Sequence, residues 1–434
     1  MSRRVVVIGR VPDADRLRTS FPELRTESLA LALREAGHSV RVIGLVPPAE
    51  ARSRRGPKAW EGEARVGEEA PGWLERVAEL AAEAELLVSA GPHNGGRVAC
   101  LVAKERPVWA DLPGDPFAEV QAVSLATGLP LPDRQAGALA AALPLLCRAD
   151  GIGVVSERQR LLLLGQLGLL GRLADPAALP VIGVTPVAWH FDGSPAPPRP
   201  RAAGQPLRVA LIGGANAWLD VQAMIEGLEQ AMHAQPGIEV LVGEGDLPGH
   251  YRAGWELLRS WAQDRPGVRL LPRLAPAALS EALAAAHLGL LVDREGIEPE
   301  TGSRTRVLFL LHQGLEVLST TRTELCAGLA ARGLIHALPD GRPESIHRAL
   351  LDRLASRSGP QAEEAAARLA VELRPEAAAA ALLDFAAQPR RSAPGQPLGF
   401  ELAQDNARLR DALAAVHQSP TWRLSSRLRR LRAR

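Results

Sequence analysis

Two arginines stand just behind a Gly-Ser step and just ahead of an apolar run in ETGSRTRVLFLLHQGLEVLST, residues 300–320. A Gly/Ser turn that opens a helix is a local recipe for holding phosphate. The free N–H groups of the first helical turn and the helix dipole both favour negative charge. Arg304 and Arg306 add guanidinium forks that grip anionic oxygens in pairs. Ser303 and Thr305 offer hydroxyls beside them, and Glu300 and Gly302 complete the turn. The competing arrangement is a solvated, capped helix whose arginines pair with Glu298 and Glu300. Spacing leaves both open. Gly213 and Gly214, closing PLRVALIGG, are a second place where backbone could approach a diphosphate, or simply a tight turn.

The elements that must position these residues alternate. RVVVIG opens as a buried strand, RTESLALALREAGHSV follows as an amphipathic helix closed by Gly37, and VRVIGLV is the next strand. AELLVSAG, RPVWADL and GIGVVS continue the pattern, with helical runs such as 73–84 between them. Alternation of this kind predicts an α/β fold with parallel sheets covered by helices on both faces. A Pro-rich connector, DGSPAPPRPRAAGQP, interrupts it, and the alternation restarts at PLRVALIGG. The expected organisation is a Rossmann-like domain over 1–190, a linker over 191–206 and a second Rossmann-like domain over 207–375. A crossover helix and linker over 376–397 and a helical basic tail over 398–434 complete it. Two doubly wound sheets facing each other place ligands in the cleft, where strand carboxyl ends and helix N-termini meet. Neither half carries the GxGxxG fingerprint at a strand-to-helix turn, which disfavours an NAD-dependent oxidoreductase or epimerase.

The chain has 434 residues, with 46% hydrophobic but only 3% aromatic, so its cores must be aliphatic. The formal charge of +2 argues neither for nucleic acid nor for a membrane, and no nucleic-acid partner is expected. The charge is uneven. Residues 397–434 hold eight arginines against Glu401, Asp405 and Asp411, a local +5. Cys100, Cys147 and Cys326 are far apart and match no disulfide or zinc spacing, so they read as small buried hydrophobes in a reducing compartment. The first residues read as a strand rather than a signal peptide. The longest apolar stretch, residues 136–147, is 12 residues, short of the roughly 20 that span a bilayer. A soluble, cytoplasmic protein is the expectation.

The second half resembles the C-terminal domain of GT-B glycosyltransferases, nearest to family-4-like members of bacterial surface-polysaccharide synthesis. IGGANAWLD, VLVGEGDLPG, VRLLPRLAPAALSEALAAAHLGLLV and the arginine segment occur in the order of that family's landmarks. In the first half, LRTESLALALREAGHSVRVI, VWADLPGDP and LLCRADGIGVVSERQRLLLLG match the corresponding segments. The resemblance covers most of residues 1–350. It implies a GT-B fold and transfer of a sugar from a nucleotide-diphosphate donor to a glycan or lipid-linked acceptor, with retention at the anomeric centre. No metal or cofactor is implied if arginines and helix dipole stabilise the leaving diphosphate. Gly213, Gly214, Glu300, Gly302, Ser303, Arg304, Thr305, Arg306 and Glu316 become donor-site candidates. His93, in SAGPHNGG, would touch sugar or acceptor or simply sit in a surface loop, and Asp111 and Asp115, in DLPGDP, are the carboxylates able to act as a base if the reaction instead inverts the anomeric centre. Turn formation by Asp-Pro competes for Asp115, and capping competes for Glu157 and Arg158 in SERQR. Trp218 and Asp220 also fit the family pattern.

One position departs from it. Relatives carry an acidic residue, assigned to the donor's ribose or sugar, where this chain has Phe309, and a Gly-Leu-Pro step where it has Gly314-Leu315-Glu316. A ring cannot accept hydrogen bonds from sugar hydroxyls, and each such bond forgone costs about 1–3 kcal/mol. The departure leaves a catalytically silent binding or assembly subunit as the alternative. The tail's SPTWRLSSRLRRLR resembles an ending common on such glycosyltransferases. Physically residues 422–434 set Trp422, Leu424, Leu428 and Leu431 opposite six arginines, a face suited to an anionic membrane surface on its cytoplasmic side, or to a protein partner.

Overall fold

The computed structural model describes residues 2–12, 21–46 and 63–395, except 69, 92–93, 192, 199–200, 203, 246–250 and 356–360. Of the tail it describes only 413, 416, 419 and 422. Among these residues, the first half runs β1 (Arg4–Arg10), α1 (Phe21–Glu35), β2 (Ser39–Val46), β3 (Ala64–Gly67), α2 (Trp73–Leu80), β4 (Leu86–Ser89), α3 (Asn94–Val102) and β5 (Val108–Leu112). It continues with α4 (Pro116–Thr127), α5 (Leu131–Arg148), β6 (Gly151–Val154), α6 (Glu157–Leu169) and β7 (Val181–Val184). The second runs β8 (Leu207–Leu211), α7 (Val221–Ala234), β9 (Ile238–Gly243), α8 (Ala253–Ala262), β10 (Val268–Leu271), α9 (Pro276–Leu283) and β11 (Leu288–Leu291). After it come α10 (Ile297–Thr301), α11 (Thr305–His312), β12 (Glu316–Thr320), α12 (Glu324–Ala331), β13 (His336–Leu338) and α13 (Pro343–Ala355). Helices α14 (Gln361–Glu372), α15 (Pro375–Ala378) and α16 (Ala380–Ala387) close the described body.

The strand pattern explains itself. β1 is buried at every position but its two ends, as a parallel strand covered on both faces must be. The first sheet has the order β3-β2-β1-β4-β5-β6-β7 and the second β10-β9-β8-β11-β12-β13, with parallel pairing throughout. Each order reverses once, between β1 and β4 and between β8 and β11. Open α/β sheets bind ligands outside the carboxyl ends at such reversals. One face of the first sheet packs Ile8, Leu87, Leu145 and Leu163; the other packs Val7, Leu33, Trp109 and Phe385. The second domain has one continuous core around Val209, Val240, Leu290 and Val317.

The chain crosses between domains twice. After β7, Trp189 donates its N–H to Leu373 O at 2.6 Å, and Ala196 N–H bonds His312 O at 2.8 Å. Gly314, with φ +71°, turns the end of α11 beneath this strand, and the carbonyls of Ala196 and Pro197 occupy the space a Cβ would need. Only glycine fits both constraints. The second crossing returns α15 and α16 to the first sheet. There Phe385 meets Trp109 with ring centroids 5.5 Å apart. Gly151 of β6 and Gly183 of β7 lie where a Cβ would collide with Trp109 and with Ala381, so both strands need glycine for the helix to seat.

Candidate functional site

At the reversal of the second sheet, β8 ends at Leu211, and two residues on, Gly213, with φ +82°, turns the chain back under the arginine helix. α11 begins at the same level. Arg306, in its first turn, donates from Nη1 to Ile212 O at 3.1 Å and from Nη2 to Gly214 O at 2.7 Å. A Cβ on Gly213 would stand 3.3 Å from the guanidinium carbon, and the positive φ disfavours one in any case. Arg306 is half-buried, and no ion pair joins it to a carboxylate among the described residues. Burial, and then the neighbouring Arg304, lower its pKa to about 10, against the pull of Asp293 and Glu298, so it stays charged at neutral pH. With Gly213, Ala215 and Leu219 it lines a small cavity under the turn.

Arg304 has a different task. It is 3% exposed, and Asp293 and Glu298 beside it are 1% and 5% exposed. Its Nε donates to Asp293 Oδ1 at 2.7 Å, Nη1 to Glu298 Oε1 and to Ser303 O at 3.0 Å each, and Nη2 to Glu298 Oε2 at 2.8 Å. Trp218 covers it, 5.8 Å from ring centroid to guanidinium carbon. Burial opposes the charge, but the two carboxylates outweigh it and hold the pKa above its ordinary value. Every nitrogen of the fork is engaged, so Arg304 is a strut between α10, β11 and α11 rather than a free phosphate ligand. The expected pairing with Glu298 is present, in a buried rather than solvated form. Glu300 is exposed on α10. Gly302 is buried, and a Cβ there would meet Glu298 Oε1 at 2.6 Å. Ser303 and Thr305 are half-buried at the start of α11, next to Arg306.

Glu316 does not join the site. It opens β12 opposite Leu288, whereas the site lies beyond Thr320, whose Oγ1 accepts the Asp293 N–H at 2.9 Å. Four residues of strand separate the two levels, about 13 Å. Glu316 instead holds His336 Nε2 at 2.8 Å, with Arg353 3.7 Å away. The cause is the βαβ path: α11 descends from the cleft, so the next strand starts at the far edge of the sheet. Phe309, one turn along α11, packs edge-on against Phe191 of the first crossing at 5.6 Å. Phe191 in turn contacts His312 and Trp189, and Trp189 Nε1 donates to His312 Nδ1 at 3.3 Å. The ring therefore fastens the crossing strand.

The first-domain carboxylates are also structural. Asp111 is 0% exposed and accepts from Arg25 Nε and Nη2 at 2.8 and 2.7 Å, while Arg25 also reaches Pro186 O and Thr185 O at 2.7 Å. A carboxylate so paired and so fully buried is a structural anchor rather than a group presented to solvent as a base. Asp115 caps α4, accepting the N–H groups of Phe117 and Ala118 at 3.0 and 2.8 Å, and receives Gln166 Nε2 at 2.6 Å. The Asp-Pro turn is its role. His93 lies outside the described residues. Asp220 caps α7 through the Ala223 N–H at 3.2 Å. Glu157 and Arg158 do face the cleft, where their backbone N–H groups meet Glu324 of the second domain at 3.3 and 3.2 Å. Neither Arg25 nor Glu324 stands out in the sequence, because their partners are 86 and 166 or more residues away. Cys100 and Cys326 are buried and Cys147 is half-buried, all as free thiols.

No family model matches the chain, and no curated protein matches it. Solved structures do. Sucrose-phosphate synthase from Thermosynechococcus elongatus superposes with a TM-score of 0.57 at 15% identity, covering 94% of this chain and all of its own. The α,α-trehalose-phosphate synthase of Burkholderia vietnamiensis gives 0.58 at 12% identity, over 89% and 98%. HepE from Anabaena, in complex with UDP and glucose, gives 0.56 at 12%, over 89% and 99%. The fold is GT-B. The GT-B likeness covers about nine-tenths of this chain and nearly all of each compared chain. Identities this low speak for the GT-B fold and leave function to the residues themselves. Among the described residues no helix is long and apolar enough to cross a membrane.

Proposed function

We propose that this chain is a glycosyltransferase that moves a sugar from a nucleotide-diphosphate donor to a glycan or lipid-linked acceptor in bacterial surface-polysaccharide assembly. The observation that carries the reading is Arg306. It is a cation with no carboxylate in an ion pair with it among the described residues, set on the glycine turn at the reversal of the second sheet. The HepE neighbour, a complex with UDP and glucose, supports a nucleotide-sugar donor. In this reading Arg306 and the first-turn N–H groups of α11 stabilise the charge that builds on the leaving diphosphate, an electrostatic effect worth about 3–4 kcal/mol per well-placed donor. The closed cleft keeps water from the activated sugar. The basic tail, whose Leu413, Val416 and Trp422 are 56%, 48% and 41% exposed, supports contact with anionic lipid on the cytoplasmic side of the membrane.

The test is calorimetric titration of the full chain with UDP, GDP and dTDP, beside an Arg306→Ala variant. Binding of one nucleotide, weakened at least tenfold in the variant while the melting curve is kept, is the expected result, and that nucleotide then enters sugar-transfer assays. Absence of binding by all three in folded protein would overturn the proposal in favour of a silent binding subunit.

A further inference from the structure

Helix α10 of the second domain lies against α4 and α6 of the first. Polar bonds cross this contact at several points. Ser156 Oγ donates to Thr301 O at 2.7 Å, Ile297 N–H donates to Gln121 Oε1 at 3.2 Å, and Arg158 Nη1 donates to Arg322 O at 2.7 Å. Glu324, at the start of α12, brings a full negative charge to the same contact. It accepts the Glu157 N–H at 3.3 Å with Oε1 and the Arg158 N–H at 3.2 Å with Oε2. These are the first two amides of α6, donors that no carbonyl within the helix can reach. A carboxylate of one domain therefore caps a helix of the other, at the end where the helix dipole favours negative charge.

Both helix starts are also secured from within their own domains. Ser156 Oγ accepts the Gln159 N–H at 3.1 Å, and Gln159 ties down the beginning of α6 by bonds to Val155 N–H at 2.9 Å and to Leu112 O at 2.7 Å. α12 has Thr323, whose Oγ1 accepts the Cys326 N–H at 3.1 Å. The chain just before it is braced by Arg322 on Glu295 at 3.1 Å and by Thr320 Oγ1 on the Asp293 N–H. Glu324 is half-buried, and its carboxylate has no partner other than the two α6 amides among the described residues. Parting the domains thus exchanges the Glu324 bonds for water and leaves each internal cap in place.

We propose that Glu324 is an interdomain clasp: by capping α6 from the second domain it holds the cleft closed, and its charge sets how often the cleft opens. A molecule that enters through the open form binds with an apparent affinity reduced by the fraction of chains in which the clasp is undone. The inference needs no bound sugar nucleotide and stands apart from the proposed function.

Hydrogen exchange resolved to single amides in the full chain, without added nucleotide, tests it. Ile297 N–H is the reporter, because its acceptor belongs to the other domain and is not Glu324. Asp150 N–H, bonded to Val108 O, and Asp220 N–H, bonded to Val292 O, both at 2.8 Å, report the integrity of the first and second domains. Glu324→Ala should speed exchange at Ile297 by about three- to tenfold, the scale of a charge and its hydrogen bonds at a helix start. Asp150 and Asp220 should keep their wild-type rates. Glu324→Gln, which retains the shape and one acceptor oxygen, should give a smaller rise, and Glu324→Lys, which sets a positive charge against the dipole, a larger one. Faster exchange at Glu157 and Arg158 alone, with Ile297 at its wild-type rate in all three variants, would make Glu324 a local cap and overturn the inference. So would a rise at Ile297 matched at Asp150 and Asp220, the mark of weakened folding rather than of opening.

Discussion

Replacing Arg304 with methionine separates the two tasks an arginine at this position can have. The side chain makes three hydrogen bonds of 2.7–3.0 Å to Asp293 and Glu298. All three residues are nearly inaccessible, and Asp293 Oδ2 already lacks a hydrogen-bond partner among the described residues. Methionine fills much of the same volume but strands two buried carboxylates. Loss of one member of a buried ion pair costs about 3–5 kcal/mol. For a domain of this size that lowers the unfolding temperature by on the order of 10 °C. Adding Asp293→Asn and Glu298→Gln removes the stranded charges and should recover more than half of the loss, since the penalty lies in the carboxylates left behind. Urea unfolding of the variants gives the stability, and nucleotide titration of the folded fractions gives the affinity. Arg304→Met should retain affinity within about threefold, whereas Arg306→Ala should lose at least tenfold, as expected for one charged hydrogen bond of about 1.5–3 kcal/mol. An Arg304→Met protein within 1 kcal/mol of wild type that has lost nucleotide binding would refute this reasoning and restore Arg304 as a phosphate ligand.

Glu316→Ala should leave nucleotide titration unchanged and cost at most about 1 kcal/mol in urea unfolding, because its pairing with His336 is partly solvated and far from the cleft. Phe309→Asp should lower stability by about 2–4 kcal/mol, read from a thermal melt, by placing a charge against Phe191. It should bring no gain in nucleotide affinity. Burial pushes the Cys100 thiol up to about 12, so at pH 8 about one in ten thousand of its molecules is thiolate. A colorimetric thiol assay should therefore label Cys147 first, with Cys100 and Cys326 reacting only in denaturant.

The alternation of strands and helices was legible because buried parallel strands and amphipathic helices carry different periods. The helix expected near 277–286, for instance, is α9. The glycine turn of β8 and the position of Arg306 followed from the same pattern. Partners brought by tertiary contact were less accessible. Glu298 lies six residues from Arg304, and the sequence offered it as a competitor for the guanidinium. Asp293 reaches Arg304 only because β11 ends beside α11, and Arg25 reaches Asp111 across 86 residues. Glu316 shows a different kind of error. Its place in the step that stands where relatives have Gly-Leu-Pro suggested the cleft, although the direction of α11 already implied the opposite edge of the sheet. Phe309 could be recognised as out of pattern, but its partner Phe191 belongs to a Pro-rich crossing with no periodicity to read.

The return of α16 to the first sheet has a consequence for the order in which the protein assembles. Leu382, Phe385 and Ala386 complete the hydrophobic layer over Trp109, in a face that β6 and β7 opened by carrying glycine. During synthesis those strands emerge about 200 residues before the helix that covers them, or roughly 10–40 s at ordinary elongation rates. The second domain, contiguous in sequence, can finish in that interval. The domain that begins first is thus completed last, and its uncovered apolar face is the part of the nascent chain most exposed to misassociation.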